Sequence, residues 1–111
     1  MSEFIQVTTT VQIQEDADII SKIALDNRLA ACVQVSPCRS TYYWQGKIEQ
    51  DNELKLVIKS HRKLYPELEK IILDNHPYDV PEIVATPVLE CNSAYLDWLR
   101  GELKKHEDDH G

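Results

Sequence analysis

At 111 residues, 42% hydrophobic and 28% charged, the chain is long enough for one hydrophobic core and too short for two. Twelve Lys and Arg against nineteen Asp and Glu leave a formal charge of −7, part of it in the tail Glu107-Asp108-Asp109, which argues against nucleic acid because polyanion binding is driven by basic residues displacing counterions. No basic segment followed by an apolar stretch opens the chain and no apolar run could cross a bilayer, so a cytoplasmic protein without membrane association is expected.

Phe4, Ile5, Val7 and the β-branched run Thr8-Thr9-Thr10-Val11 favour a first strand. From Glu15 the apolar period changes: Ala17, Ile20 and Ala24 recur at three and four residues behind acidic Glu15 and Asp16, which predicts a helix from about Glu15 to Asn27. Ala31 to Trp44 is a long β-favouring stretch. Pro37 cannot donate to a ladder, so a bulge or bend is expected there. Gln45-Gly46 reads as a turn, and Leu54, Leu56 and Ile58, alternating with Lys55, Val57 and Lys59, return as the second strand of a long antiparallel hairpin.

Leu64, Leu68, Ile71 and Ile72 share one helical face, and Pro66 belongs in the first turn, so the second helix is expected from about Leu64 to Asn75. Glu82 to Leu89 reads as a further strand. Asn92-Ser93 offers an N-cap to a last helix striped by Tyr95, Leu96, Trp98, Leu99 and Leu103, which frays into Lys104-Lys105-His106. The order β-α-β-β-α-β-α predicts an α+β fold, a ferredoxin-like βαββαβ antiparallel sheet with an extra C-terminal helix. Residues 1–104 would form the single domain and 105–111 an acidic flexible tail.

The 14-residue strand from Ala31 to Trp44 would span roughly 46 Å at about 3.3 Å per residue, against a diameter near 34 Å for a compact domain of this length. Either the hairpin, tipped by Tyr42, Tyr43 and Trp44, overhangs its own body and pairs with other copies of the chain, or Pro37 folds it back.

The run His76-Pro77-Tyr78-Asp79-Val80-Pro81-Glu82 places an imidazole, a phenol and carboxylates on a helix-to-strand connection stiffened by two prolines. It reads as a binding corner or as a structural one, in which Tyr78 packs and His76 satisfies a carbonyl. Cys32, Cys38 and Cys91 form no CxxC pair and signal neither a disulfide framework nor a zinc knuckle; three reduced thiols are expected, with Cys32 in packing. No nucleophilic triad, glycine-rich phosphate loop or HExxH is present, so the chain is not expected to be an enzyme.

Ala30-Ala31-Cys32-Val33, Tyr43-Trp44-Gln45-Gly46-Lys47-Ile48, Ile58-Lys59, His76-Pro77-Tyr78-Asp79-Val80-Pro81-Glu82 and Asn92-Ser93-Ala94-Tyr95-Leu96-Asp97-Trp98 together resemble the CutA family, the divalent-cation tolerance proteins. The resemblance implies a homotrimer, similar in architecture to the PII signalling proteins, in which long hairpins pair between subunits, and a function in tolerance or binding of divalent metal ions, copper in particular. The positions where some bacterial members place copper are Thr8, Asn75 and His76 here. Only His76 carries a copper-type donor, so weak copper or other divalent-cation binding is expected, supported by Glu82 or Asp79. His106 and His110, with Asp108 and Asp109, form a second metal-attracting cluster in the tail. The alternative is a PII-like small-molecule sensor or scaffold whose inter-subunit clefts are lined by Tyr43, Trp44, Lys59, Tyr78 and Glu82.

Overall fold

The computed structural model describes residues 3–106; positions 107–111 of the expected tail, with the acidic run and His110, lie outside the described residues. In chain order come β1 (Phe4–Val11), α1 (Gln14–Asp26), β2 (Cys32–Trp44), β3 (Lys47–His61), a 3-10 turn (Arg62–Leu64), α2 (Tyr65–Asn75), β4 (Val84–Pro87) and α3 (Ser93–Glu102). The sheet order is β2-β3-β1-β4 and every pairing is antiparallel, which is the ferredoxin-like arrangement expected from the element order.

Strand alternation explains the core. Ile5, Val7, Thr9 and Val11 of β1 stand opposite Ser60, Ile58, Leu56 and Leu54 of β3, so they share one face of the sheet. Ala17, Ile20 and Ala24 of α1 and Leu68 and Ile72 of α2 are the buried helical residues of the same core cluster. Its buried hydroxyls are satisfied: Ser60 donates to the Leu29 carbonyl at 2.6 Å, and Thr9 Oγ1 lies 3.1 Å from His76 Nε2. The opposite face is covered at one end by α3, where Lys59 Nζ donates to the Tyr95 hydroxyl at 3.2 Å and the Arg100 guanidinium lies over the Phe4 ring at 5.4 Å.

Pro66 falls in the first turn of α2, as expected, because a 3-10 turn takes the chain from β3 into the helix and leaves no amide for proline to lose. Asn92 holds the N-cap position of α3 but makes no side-chain cap bond. The last strand is shorter than the expected Glu82–Leu89. Pro81 precedes it and Pro87 ends it, although Val88 still donates to the Phe4 carbonyl at 3.0 Å.

At Pro37 the structure corrects the expected bulge: the register runs unbroken from Cys32↔Lys59 to Trp44↔Lys47, with Pro37 opposite Leu54. Counted back from the two-residue turn, Pro37↔Leu54 is a non-hydrogen-bonded pair, so the missing N–H would have pointed away from β3. Because β2 is the edge strand, proline costs no ladder bond there.

The straight hairpin therefore overhangs. β1 pairs with β3 only as far as Leu54, and the outer pairs from Cys38↔Glu53 to Trp44↔Lys47 have no third strand beside them. The molecule measures 51 × 26 × 20 Å, the long dimension that a projecting ribbon gives. Its turn places Gln45 at φ 52° and Gly46 at φ 81°, the doubly left-handed geometry that matches the twist of a tight hairpin. Nothing lies within 4 Å of a Cβ added at Gly46. Gly46→Val should then cost only backbone strain, about 1–2 kcal/mol, read as a lower urea midpoint with an unchanged m value.

Candidate functional site

α2 ends where Asn75 turns its amide back to donate to the Ile71 carbonyl at 2.9 Å. His76 is extended, at φ −85° and ψ 136°, as a residue preceding proline must be. Its ring is held at both nitrogens. Nδ1 accepts the Tyr78 amide N–H at 3.1 Å, and Nε2 lies 2.9 Å from the Thr10 carbonyl. This pattern fits one neutral tautomer, with the proton on Nε2 donated to Thr10. Burial pushes His76 below the usual imidazole range, partly opposed by its bond to Thr10, so the neutral ring is favoured.

The amide that His76 fixes belongs to Tyr78, whose hydroxyl donates to Glu53 Oε2 at 2.6 Å. Glu53 is only 8% exposed. Burial and the adjacent Glu53 carboxylate push the Tyr78 phenol far above its ordinary value. On the same strand face, Tyr42 donates to Asp51, and that bond pushes its phenol up to about 12. Both phenols therefore stay protonated and act as donors to carboxylates.

Between the ribbon and the Tyr78–Glu82 segment lies an open groove of about 400 Å³. Tyr42, Trp44 and Tyr78 supply its aromatic walls, and Asp51, Glu53, Asp79 and Glu82 its carboxylates; Thr10, Gln12 and Val80 complete a lining that contains no Lys, Arg or His. Such a lining focuses negative potential and raises the local concentration of cations. Among the described residues, no three His, Cys, Asp or Glu side chains converge to ligate one ion, so the groove attracts cations without a closed ligand set in the single chain.

The structure thus brings together Trp44, Tyr78, Asp79 and Glu82 of the residues singled out in the sequence. His76 stands behind the groove and positions Tyr78. Tyr43, one residue from Trp44, belongs to the opposite strand face, paired with Ile48. Lys59 lies towards the other end of the sheet beneath Tyr95, Thr8 pairs with Val57 and Val84, and Asn75 caps α2. The sequence reading missed Tyr42, Asp51 and Glu53. Their signal was the alternation Glu49, Asp51, Glu53, which sets three acids on one strand face.

Fold and groove define a small ferredoxin-like protein with an acidic site beside an overhanging ribbon. Residues 5–102 match the sequence model of the CutA1 divalent ion tolerance protein family. The chain is 46% identical to the divalent-cation tolerance protein CutA of Thermus thermophilus over 95 residues, which is 85% of this chain and 92% of that protein. A crystal structure of CutA1 from Pyrococcus horikoshii superposes with a TM-score of 0.86 at 40% identity, covering 91% of this chain and 99% of that one. CutA1 from Oryza sativa gives a TM-score of 0.90 at 35% identity, covering 95% and 97%. The chain belongs to the CutA family of divalent-cation tolerance proteins.

Proposed function

We propose that the protein acts as a homotrimer that associates weakly with divalent cations, copper among them, through the acidic groove. The observation that carries this reading is a lining with four carboxylates and no basic side chain, in which Glu53 is buried beside a phenol rather than a cation. A buried carboxylate without a positive partner is costly, and a bound cation would remove that cost. Oxygen donors suit hard divalent ions, whereas copper favours imidazole, so His76 would join a copper site by exchanging the Tyr78 amide for the metal at Nδ1. Glu82 and Asp79 would supply supporting oxygens. The ribbon, with its unpaired edges and exposed apolar face, supports association with sister copies, and the number three is what the resemblance to the CutA family implies. No catalysed reaction is part of this reading.

Calorimetric titration with Cu²⁺ and Mn²⁺ tests it. Glu82→Gln should weaken both ions, and His76→Ala should weaken copper on the order of tenfold while leaving manganese nearly unchanged. Equal copper affinity in wild type and His76→Ala would remove His76 from the ligand set, and wild-type protein that takes up neither ion would end the groove assignment. The aromatic walls favour a second reading, a PII-like small-molecule sensor or scaffold, because a groove of about 400 Å³ has the size of a ligand pocket. Native mass spectrometry of the assembly with a metabolite panel separates the two.

A further inference from the structure

The acidic groove is a poor cage for a bare ion and a better one for a larger cation. At about 400 Å³ it has more than ten times the ~30 Å³ share of a water molecule, and among the described residues no three metal-type side chains meet at one point. Its carboxylates are spread over two walls instead. Asp51 and Glu53 alternate onto one face of β3, about 7 Å apart along the strand, while Asp79 and Glu82 stand on the connection between α2 and β4. Carboxylates dispersed in this way cannot close on one centre, but a ligand with several separated positive charges can meet them one at a time. The Asp51–Glu53 spacing is about the reach of a four-carbon chain.

The carboxylates also lack an internal counter-charge. None of the four makes an ion pair among the described residues, and no Lys, Arg or His lines the groove. Glu53 is the extreme case. It is buried, yet Tyr78 is its one hydrogen-bond donor among the described residues, at Oε2, which leaves Oε1 without a partner. A neutral phenol offsets part of the cost of burying that charge, and a cationic N–H would offset more.

Between the charges lies apolar surface. Tyr42 and Trp44 are exposed, and Tyr78 and Val80 face them across the groove. The hydroxyls of Tyr42 and Tyr78 are tied to Asp51 and Glu53, which fixes both rings before a ligand arrives, and a phenol polarised by a carboxylate presents a more electron-rich ring. Such rings attract an ammonium group and pack against methylenes, and a metal ion has no methylenes to offer. A quaternary ammonium would use the rings but has no N–H to give the carboxylates.

Resting on the reading of the groove as a cation site, we propose that its preferred occupant is a small aliphatic polyamine, whose ammonium groups donate to carboxylates on both walls and whose methylenes lie against Tyr42, Trp44 and Tyr78.

Calorimetric titration of the full chain with putrescine, butylamine, butanediol and Mn²⁺ tests this. Putrescine should bind at least about tenfold more tightly than butylamine, which carries one charge on the same chain length, and butanediol should give no binding heat. Trp44→Ala removes a ring without changing the charge and should weaken putrescine about tenfold, with Trp44→Phe restoring most of the affinity. Sedimentation of both variants beside wild type separates loss of the ring from loss of assembly. Glu15→Gln, in the exposed first turn of α1 and outside the groove lining, should match wild type. Putrescine that fails to bind, or that binds Trp44→Ala as tightly as wild type, overturns the proposal, the second result meaning attraction to an acidic surface alone. Uptake of Mn²⁺ without putrescine overturns the polyamine and leaves the cation reading standing; uptake of putrescine without Mn²⁺ overturns the metal reading and supports the polyamine.

Discussion

Ile58→Ala should lower folding stability by about 2–5 kcal/mol, the cost of an unfilled cavity in a packed core. Ile58 is fully buried in β3, opposite Val7 of β1 and Val33 of β2, at the centre of the apolar face on which both crossover helices rest. Neighbours held in two strand ladders cannot easily collapse into the space. Val57, next in sequence, lies on the other face and is only half-buried, so Val57→Ala should cost markedly less. Urea denaturation at one fixed protein concentration measures both, because stability of an oligomer depends on concentration. Equal losses at the two positions would contradict the assignment of faces.

The contrast between neighbouring residues was already present in the sequence. Leu54, Leu56 and Ile58 alternate with Lys55, Val57 and Lys59, and the sheet keeps that alternation, because period-two patterning is fixed once one face must be dry. Helix one was equally plain, its apolar residues recurring at helical spacing behind two acids. Pro37 was misleading for a physical reason. Proline argues against a ladder only where its nitrogen faces a neighbour, and neither edge status nor hydrogen-bonding parity can be read until the sheet order is known. The shortened β4 has the same cause, since Pro87 acts there through its pairing with Ile5, a partner more than eighty residues earlier in the chain.

The candidate site was legible only along the chain. His76 to Glu82 stood out because seven consecutive residues carried the chemistry, and Trp44 followed from the hairpin. What could not be read was which strand face each residue takes relative to a distant loop: Tyr78 meets Glu53, 25 residues earlier, and His76 meets Thr9 and Thr10 across the sheet. His76 itself changed character on folding. An isolated imidazole beside carboxylates suggests a ligand, but a ring with both nitrogens engaged first does mechanical work, orienting the Tyr78 backbone whose phenol then holds Glu53.

Replacing Tyr43 and Ile48 together by Asp should convert the proposed trimer into folded single chains. Tyr43 is 77% exposed and Ile48 64%, and they stand opposite each other on the ribbon face turned away from the acidic groove. Within one chain these side chains contribute nothing to the buried core, so the substitutions leave folding intact and circular dichroism unchanged. In the proposed assembly another copy covers them, and large apolar side chains at the centre of an interface commonly carry about 2 kcal/mol or more each, an effect that two buried carboxylates would reverse. Ile19→Asp, placed on the exposed side of α1, serves as the control for added charge and should leave the assembly whole. Sedimentation velocity at micromolar concentration reads the result directly. A wild-type protein that sediments as one chain, or a doubly substituted one that still sediments as three, would show that the subunits are not joined by the ribbon, whose outer pairs from Cys38↔Glu53 to Trp44↔Lys47 have no third strand beside them among the described residues.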